Sequence, residues 1–246
     1  MRAVERVVAI FDSFTQSRNA LSLQEIADSV DLPKSTAFRF VQGLQAAGYL
    51  VRLEDKTYCL SLQFLRLAGL VHGTLDIRTV ARPIMIELAG ATMETVAIHQ
   101  SMGSNRICID SIQSAQAPLR AVMQPGEQIP LQAGSAAKVL LAHMSETELS
   151  EALPKVSSLS GRSQVDILAE LYRVRECGFA VSHGERLAGL SAVSAPIKDA
   201  RDEVRYCITV SGPTVRIERR VDEIVQLVTE SAQTLSRQLG ARTTVE

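Results

Sequence analysis

The features that most constrain this chain are three pieces of backbone punctuation: Ser22 with Glu25 three positions on, Pro33, and Gly48. A serine and a glutamate at that spacing form a capping box that opens a helix. Proline at a first helical position loses no hydrogen bond, and glycine takes the left-handed conformation that ends a helix. Together they predict a helix after Ser22 with Leu23, Ile26, Ala27 and Val30 turned inward, and a turn at Asp31 and Leu32. A further helix is predicted over 33–47, with Pro33 at its first position. Ahead of them, residues 3–16 put Val4, Val7, Val8, Ile10, Phe11 and Phe14 on one broad side, the spacing of a helix packed on a core, before the polar break SRNA. Behind them, YLVRLEDKTYCL from Tyr49 reads as a β-hairpin with a charged tip at Glu54, Asp55 and Lys56. Helix, helix, turn, helix and hairpin within one short region is the organisation of a winged helix-turn-helix.

A helix that enters a major groove offers short polar side chains and a guanidinium near its N-terminus while its other side packs inward. Residues 33–47 fit that description. Ala37, Val41, Leu44 and part of Phe40 are assigned to the core, Ser35, Thr36, Phe38 and Arg39 to the groove face, and Lys34 to a phosphate. Arg52 and Lys56 on the wing suit phosphates as well. Lys34, Arg39 and Arg52 lie between Asp31 and Glu54 with no acid among them. This cationic window is local, because 26 Lys and Arg against 27 acids leave the whole chain at −1, no argument for a polyanionic partner.

At 246 residues, 46% hydrophobic and 22% charged, the chain has the composition of a soluble globular protein of two domains. Cys59, Cys108, Cys177 and Cys207 are far apart, with no C-x-x-C pair, and read as small core residues in a reducing compartment. No metal site and no cofactor are expected. No signal peptide and no apolar run of membrane-spanning length is seen, which places the expected location in the cytoplasm.

After the wing, LSLQFLRLAGLVHGTL is apolar on more than one side and reads as a helix that connects two domains and adds dimer contacts. Asp76 is expected to cap a helix reaching about Met93, with Pro83 a kink or a new start. Strands are expected at 95–100, 106–112, 119–123, 179–183, 191–197 and 204–212. Helices are expected at 135–143, 145–153, 164–177 and 215–239. The fold class is α+β: an N-terminal winged helix-turn-helix over 1–61, a linker helix over 62–75, and a C-terminal domain over 76–246.

Two stretches of that domain carry candidate chemistry. In PLQAGSAAKVLLA, Gly134, Ser135, Ala136 and Ala137 open an apolar helix. The amides of such a start suit a carboxylate, and the same small residues equally suit close packing on a sheet. In ITVSGP, Thr209 and Ser211 stand two apart and face one side of a strand. Ser135 and Lys138 have the S-x-x-K spacing, but S-D-N, K-T-G, G-x-S-x-G, H-E-x-x-H, a P-loop and G-x-G-x-x-G are missing, so no enzyme is expected.

The opening MRAVERVVAIFDSF and LSLQEIADSVDLPKSTAFRFVQGLQAAGYL resemble the N-terminal domain of IclR-family bacterial transcriptional regulators, and PLQAGSAAKVLLA and ITVSGP resemble that family's effector domain. The resemblance covers essentially the whole chain. It implies a GAF-like effector-binding domain behind the DNA-binding one, and a homodimer or dimer of dimers on a palindromic operator in double-stranded DNA. It also implies an effector pocket of Ala121, Ile129, Ser135, Ala136, Ser182, Leu190, Ala192, Thr209 and Ser211. Where some members place an acid after the GFAV-type strand this chain has Ser182 and His183, and where some place cysteine in the next strand it has Ala192. Both changes remove groups suited to a small polar acid such as glyoxylate, so the expected effector is a larger or more apolar small organic acid, aromatic acids included. The competing reading is a ligand-sensing oligomerisation module that acts through protein partners rather than DNA.

Overall fold

The computed structural model describes residues 3–15, 18–64, 66–67, 77–113, 121 and 123–241. The chain divides into two compact units, Met1–Asp76 and Ile77–Glu246.

The first unit contains α1 (Ala3–Asp12), β1 (Ala20–Leu21), α2 (Leu23–Ser29), α3 (Lys34–Ala46), β2 (Leu50–Arg52) and β3 (Tyr58–Leu60). Its core is Ile10, Phe14, Leu21, Ile26, Val30, Val41, Leu44, Leu50 and Tyr58. α1 stops sooner than its apolar spacing predicts, because the Ser13 hydroxyl donates to the Ile10 carbonyl at 2.7 Å and closes the last turn. The capping box of α2 forms in full: the Glu25 amide donates to Ser22 Oγ and the Ser22 amide to Glu25 Oε2. Pro33 is the N-cap of α3 rather than its first residue. With φ −55° and ψ 137° it keeps the angle its ring demands, and its carbonyl still takes the Thr36 and Ala37 amides. At the other end Gly48 sits at φ +81°, where the Tyr49 amide reaches the Leu44 carbonyl and the Gly48 amide that of Gln45. This is a Schellman closure, whose left-handed residue is usually glycine.

The expected hairpin is β2 and β3, closed at its tip by Asp55 Oδ1, which accepts from both the amide and the hydroxyl of Thr57. β1, read from sequence as part of a polar break, pairs with β3 and completes the sheet order β1-β3-β2. Two residues are too few to show an alternating pattern. The linker helix expected over 62–75 lies mostly outside the described residues, as does its successor's cap at Asp76; residues 63, 64, 66 and 67 are helical. Phe64 stands edge-on to Phe11 and Tyr49, at centroid distances of 5.0 and 5.6 Å.

The second unit contains α4 (Ile77–Thr92), β4 (Thr95–Met102), β5 (Asn105–Ile112), β6 (Gln128–Pro130), α5 (Ser135–Ala142), α6 (Glu146–Ser160), α7 (Gln164–Cys177), β7 (Ala180–His183), β8 (Leu190–Lys198), β9 (Val204–Pro213), α8 (Thr214–Arg219) and α9 (Val221–Gln238). The sheet order is β6-β5-β4-β9-β8-β7, antiparallel throughout. One face, with Val96, Ile98, Val193, Ile197, Ile208 and Val210, packs on α4 and α9. The other carries Ala180 and Cys207, against which α5 to α7 pack.

Three expectations are corrected here. The strand expected at 119–123 does not form at its described positions: Ala121 and Met123 lie outside any strand, and the edge of the sheet is β6. Met123 joins Ala97, Cys108 and Ile129 in a small apolar cluster, and the Ala121 carbonyl accepts from Thr95 Oγ1 at 2.6 Å, so these two residues pack over the sheet. α6 runs past the expected end at 153 and through Pro154, with Leu153 and Val156 buried. The single helix expected at 215–239 is broken at Arg220, whose guanidinium turns away to the Thr92 and Ala91 carbonyls at the open end of α4.

Candidate functional site

α3 divides as its periodicity predicts. Ala37, Val41 and Leu44 are buried and Phe40 is half-buried beneath the Arg6 guanidinium, which lies 6.0 Å from the ring centroid. Lys34, Ser35 and Arg39 are exposed, Thr36 is half-buried, and Phe38 keeps 44% of its surface exposed beside them. No side chain caps the first turn of α3, so its free amides add positive potential to Lys34. On the wing, Arg52 lies 6.0 Å from the Tyr58 ring centroid and Lys56 takes φ +68° at the tip. Among the described residues Lys34, Arg39, Arg52 and Lys56 make no ion pair.

In the second unit, strand register gathers the expected effector residues. Partners across a sheet point to the same side. Ser182 pairs with Ala192, Ala192 with Ser211 and Ser211 with Thr95, while Ser194 pairs with Thr209 and Thr209 with Ala97. Farther along this face His99 stands between Cys207 and Cys108, and Arg106 pairs with Ile129. Leu190 shares the face with Ala192 by alternation. α5 lies against it: Ser135 Oγ and Ser194 Oγ are 2.8 Å apart, Ser194 Oγ and Thr209 Oγ1 again 2.8 Å, and Cys207 Sγ approaches the Ala136 carbonyl. Ser135, Ala136, Ser182, Thr209, Ser211, Ala121 and Ile129 are all buried, Leu190 and Ala192 half-buried. The Ser211 hydroxyl is buried without a partner. A cavity of about 730 Å³ lies to one side and includes only Ile129 of the nine expected residues. Its other walls include Gln132, Ala133, Arg162, Glu185 and Arg186.

The start of α5 is more elaborate than small residues alone suggest. Gly134, at φ +95°, donates its amide to Glu185 Oε2 at 3.2 Å. Lys138 Nζ holds Glu185 Oε1 at 2.5 Å, Glu170 at 2.8 Å and the Val181 carbonyl at 3.2 Å, and Arg162 holds Glu170 at 2.6 Å. Ser135 and Lys138 thus bond in different directions, and the S-x-x-K spacing assembles no serine–lysine pair. Sequence reasoning missed Glu185 and Arg106 as parts of this region. The available signal in the second case was a lone arginine on an inward alternation of a strand.

Burial sets the electrostatics of this face. It pushes the Cys108 and Cys207 thiols up to about 12 and the Arg106 guanidinium down to about 10. It also holds His99 at about 3, with the charges of Arg106 and Arg186 adding to the effect, so His99 is neutral. Neither its Nδ1 nor Arg106 Nε has a partner among the described residues.

No helix among the described residues is long and apolar enough to cross a membrane. The family model described as bacterial transcriptional regulator IclR C-terminal matches residues 70–237, and the IclR helix-turn-helix domain matches residues 3–54. The chain is 28% identical over 245 residues to the HTH-type transcriptional regulator KipR of Bacillus subtilis, covering 97% of each chain. It is also 28% identical over 248 residues to the HTH-type transcriptional repressor AllR of Escherichia coli, covering 98% of this chain and 91% of AllR. Among solved structures, Pseudomonas aeruginosa HmgR superposes with a TM-score of 0.81 at 25% identity, over 99% of this chain and all of that one. The chain belongs to the IclR family, as a DNA-binding transcriptional regulator.

Proposed function

We propose that this IclR-family regulator reads a palindromic operator through Lys34, Ser35, Thr36, Phe38 and Arg39 of α3, with Arg52 and Lys56 on flanking phosphates. A small organic acid, aromatic acids included, bound in the C-terminal unit changes its affinity for that operator. In this reading residues 1–61 bind DNA, 62–75 connect, and 76–246 bind the effector and assemble the homodimer or dimer of dimers that a palindrome requires. The observation that carries the DNA half is the set of exposed cations on α3 and the wing that have no acid of their own. The effector half is supported by a buried polar face on which Ser211 has an unused hydroxyl beside the Ser135–Ser194–Thr209 chain.

The test is fluorescence-anisotropy binding to DNA from upstream of the protein's own gene, titrated with salt and with a panel of carboxylic acids. The expected result is specific binding that weakens steeply with salt and is shifted by one acid, with reciprocal coupling between the two ligands. Binding indifferent to every acid would remove the effector half. Ser135→Leu should abolish the response to the acid while leaving DNA binding intact.

A further inference from the structure

We propose that the start of α5 is a carboxylate seat for which Glu185 and the effector contend, and that Arg106 is the buried charge that holds the incoming acid. This rests on the reading that the effector is an organic acid. It adds what must leave the start of α5 and which buried charge receives the acid.

The seat's chemistry is displayed by the chain itself, since the Gly134 amide and the Lys138 ammonium together hold the carboxylate of Glu185, from the connection between β7 and β8. Behind the seat lies Arg106. It is 3% exposed, and its guanidinium is so near Gly134 that a Cβ there would stand 3.5 Å from Nη2. Among the described residues its Nη1 reaches only the Pro130 and Ala133 carbonyls, at 3.4 and 3.2 Å, and its Nε reaches nothing. The buried carboxylates elsewhere in this unit are matched, Glu94 by Arg216 and Asp110 by Arg82. Arg106 has no carboxylate within ion-pair distance among the described residues. A guanidinium taken out of water without a counter-ion is costly, and a protein that keeps one has a use for an anion there. Buried His99, on the same face with Nδ1 unpartnered, is a second polar group that the fold leaves unused.

Exchange of one carboxylate for another leaves the charge of the seat unchanged. Lys138 keeps Glu170, and Glu185, whose side chain is 31% exposed, passes into water. The incoming acid gains Arg106, which Glu185 does not reach. One unmatched positive charge favours a monocarboxylate over a doubly charged anion. Glu185 lies in the connection bounded by Gly184 at φ +63° and Gly189 at φ +80°, and its neighbour Arg186 is paired with Glu127 at 3.0 Å. Displacing Glu185 therefore releases the tie between this connection and the start of α5, which is how occupancy is passed on.

The experiment is rescue of a missing carboxylate by a free one, followed by calorimetric unfolding. In Glu185→Ala, about 100 mM acetate should raise Tm by roughly 2–4 °C over the same concentration of chloride. It should do so neither in the wild type nor in Glu185→Ala combined with Arg106→Met. If the double variant does not fold, Lys138→Met replaces Arg106→Met. An equal acetate effect in wild type and Glu185→Ala, or none in either, would overturn the seat. In the operator assay, Glu185→Gln should lower the concentration of active acid needed about fivefold. An acid that shifts operator binding without any acetate rescue keeps the effector reading and sinks the seat. Rescue without any acid affecting the operator sinks the effector reading on which the proposal stands.

Discussion

The two units of this chain treat their cations in opposite ways. In the first, among the described residues, Lys34, Arg39, Arg52 and Lys56 face outward with no acid set against them, whereas Arg18 and Glu25, 3.8 Å apart and half exposed, are paired. In the second, Arg82, Lys138, Arg162, Arg186, Lys198, Arg205, Arg216 and Arg220 each hold a carboxylate, while Arg106 and Arg175 turn to backbone carbonyls instead. A charge neutralised inside the fold serves the fold, whereas an unmatched exposed charge is available to a phosphate. The net charge of −1 conceals this division.

Removing a carboxylate partner should therefore damage stability in the second unit, and removing an unmatched cation should damage DNA binding in the first. The largest effect is expected for Glu94→Ala, which strips the two-pronged partner from Arg216 in a buried setting. A loss of about 3 kcal/mol is expected in denaturant unfolding, near the low end for a broken buried pair because Arg216 is partly exposed and can rehydrate. A loss under about 1 kcal/mol would mean that the pairing contributes little, and the contrast between units would fail.

Next comes acid. The neutral His99 of the folded state has its pKa lowered from 6.5 to about 3, chiefly by burial. The unfolded chain gains a proton as pH falls through 6.5 that the folded chain refuses until about 3, so stability is full above 6.5 and declines across that window. The slope is at most about 1.4 kcal/mol per pH unit, amounting to roughly 2–3 kcal/mol by pH 4.5. Unfolding of His99→Asn beside the wild type checks this: the variant should lose less stability than the wild type between pH 6.5 and 4.5, and parallel curves would place the acid response elsewhere.

The cations of the first unit should behave differently. Arg39→Ala is expected to leave Tm unchanged and to cost about 1–3 kcal/mol of operator preference over random DNA, measured by anisotropy. Lys34→Ala should weaken all DNA alike and reduce the slope of log affinity against log salt by about 0.9. An unaltered operator preference in Arg39→Ala would remove α3's exposed side from the groove. The smallest effect, about 1 kcal/mol, is expected for Ser22→Ala, which removes the α2 cap without touching either class of cation.

The first unit was legible because its signals are local. Ser22 and Glu25, Gly48, and the spacing of Ala37, Val41 and Leu44 each act over a few residues, and the helix, turn, helix and hairpin appear where those signals stand, to within a residue at Pro33. The sheet of the second unit was legible in most of its strands for the same reason, since alternation is a two-residue property. What failed was decided by distant partners. Residues 119–123 have a strand's composition, but Ala121 is held over the sheet by Thr95. Arg220 breaks a continuous amphipathic pattern to reach the end of α4, and Pro154 stays helical in a segment anchored by buried Ala152, Leu153 and Val156.

By itself, then, the sequence determined the winged helix-turn-helix, the outward side of α3, the α+β class of the second unit and the family, all of them consequences of short-range periodicity and capping. Only the tertiary structure decided which polar groups are spent on the protein and which remain available. Nothing near Arg106 in sequence says that its guanidinium is buried without a counter-ion, or that Glu185 crosses from another connection to the amide of Gly134. Pairing and burial depend on which strands and helices meet, and residues 51 positions apart in the chain become partners only when the sheet has brought them together.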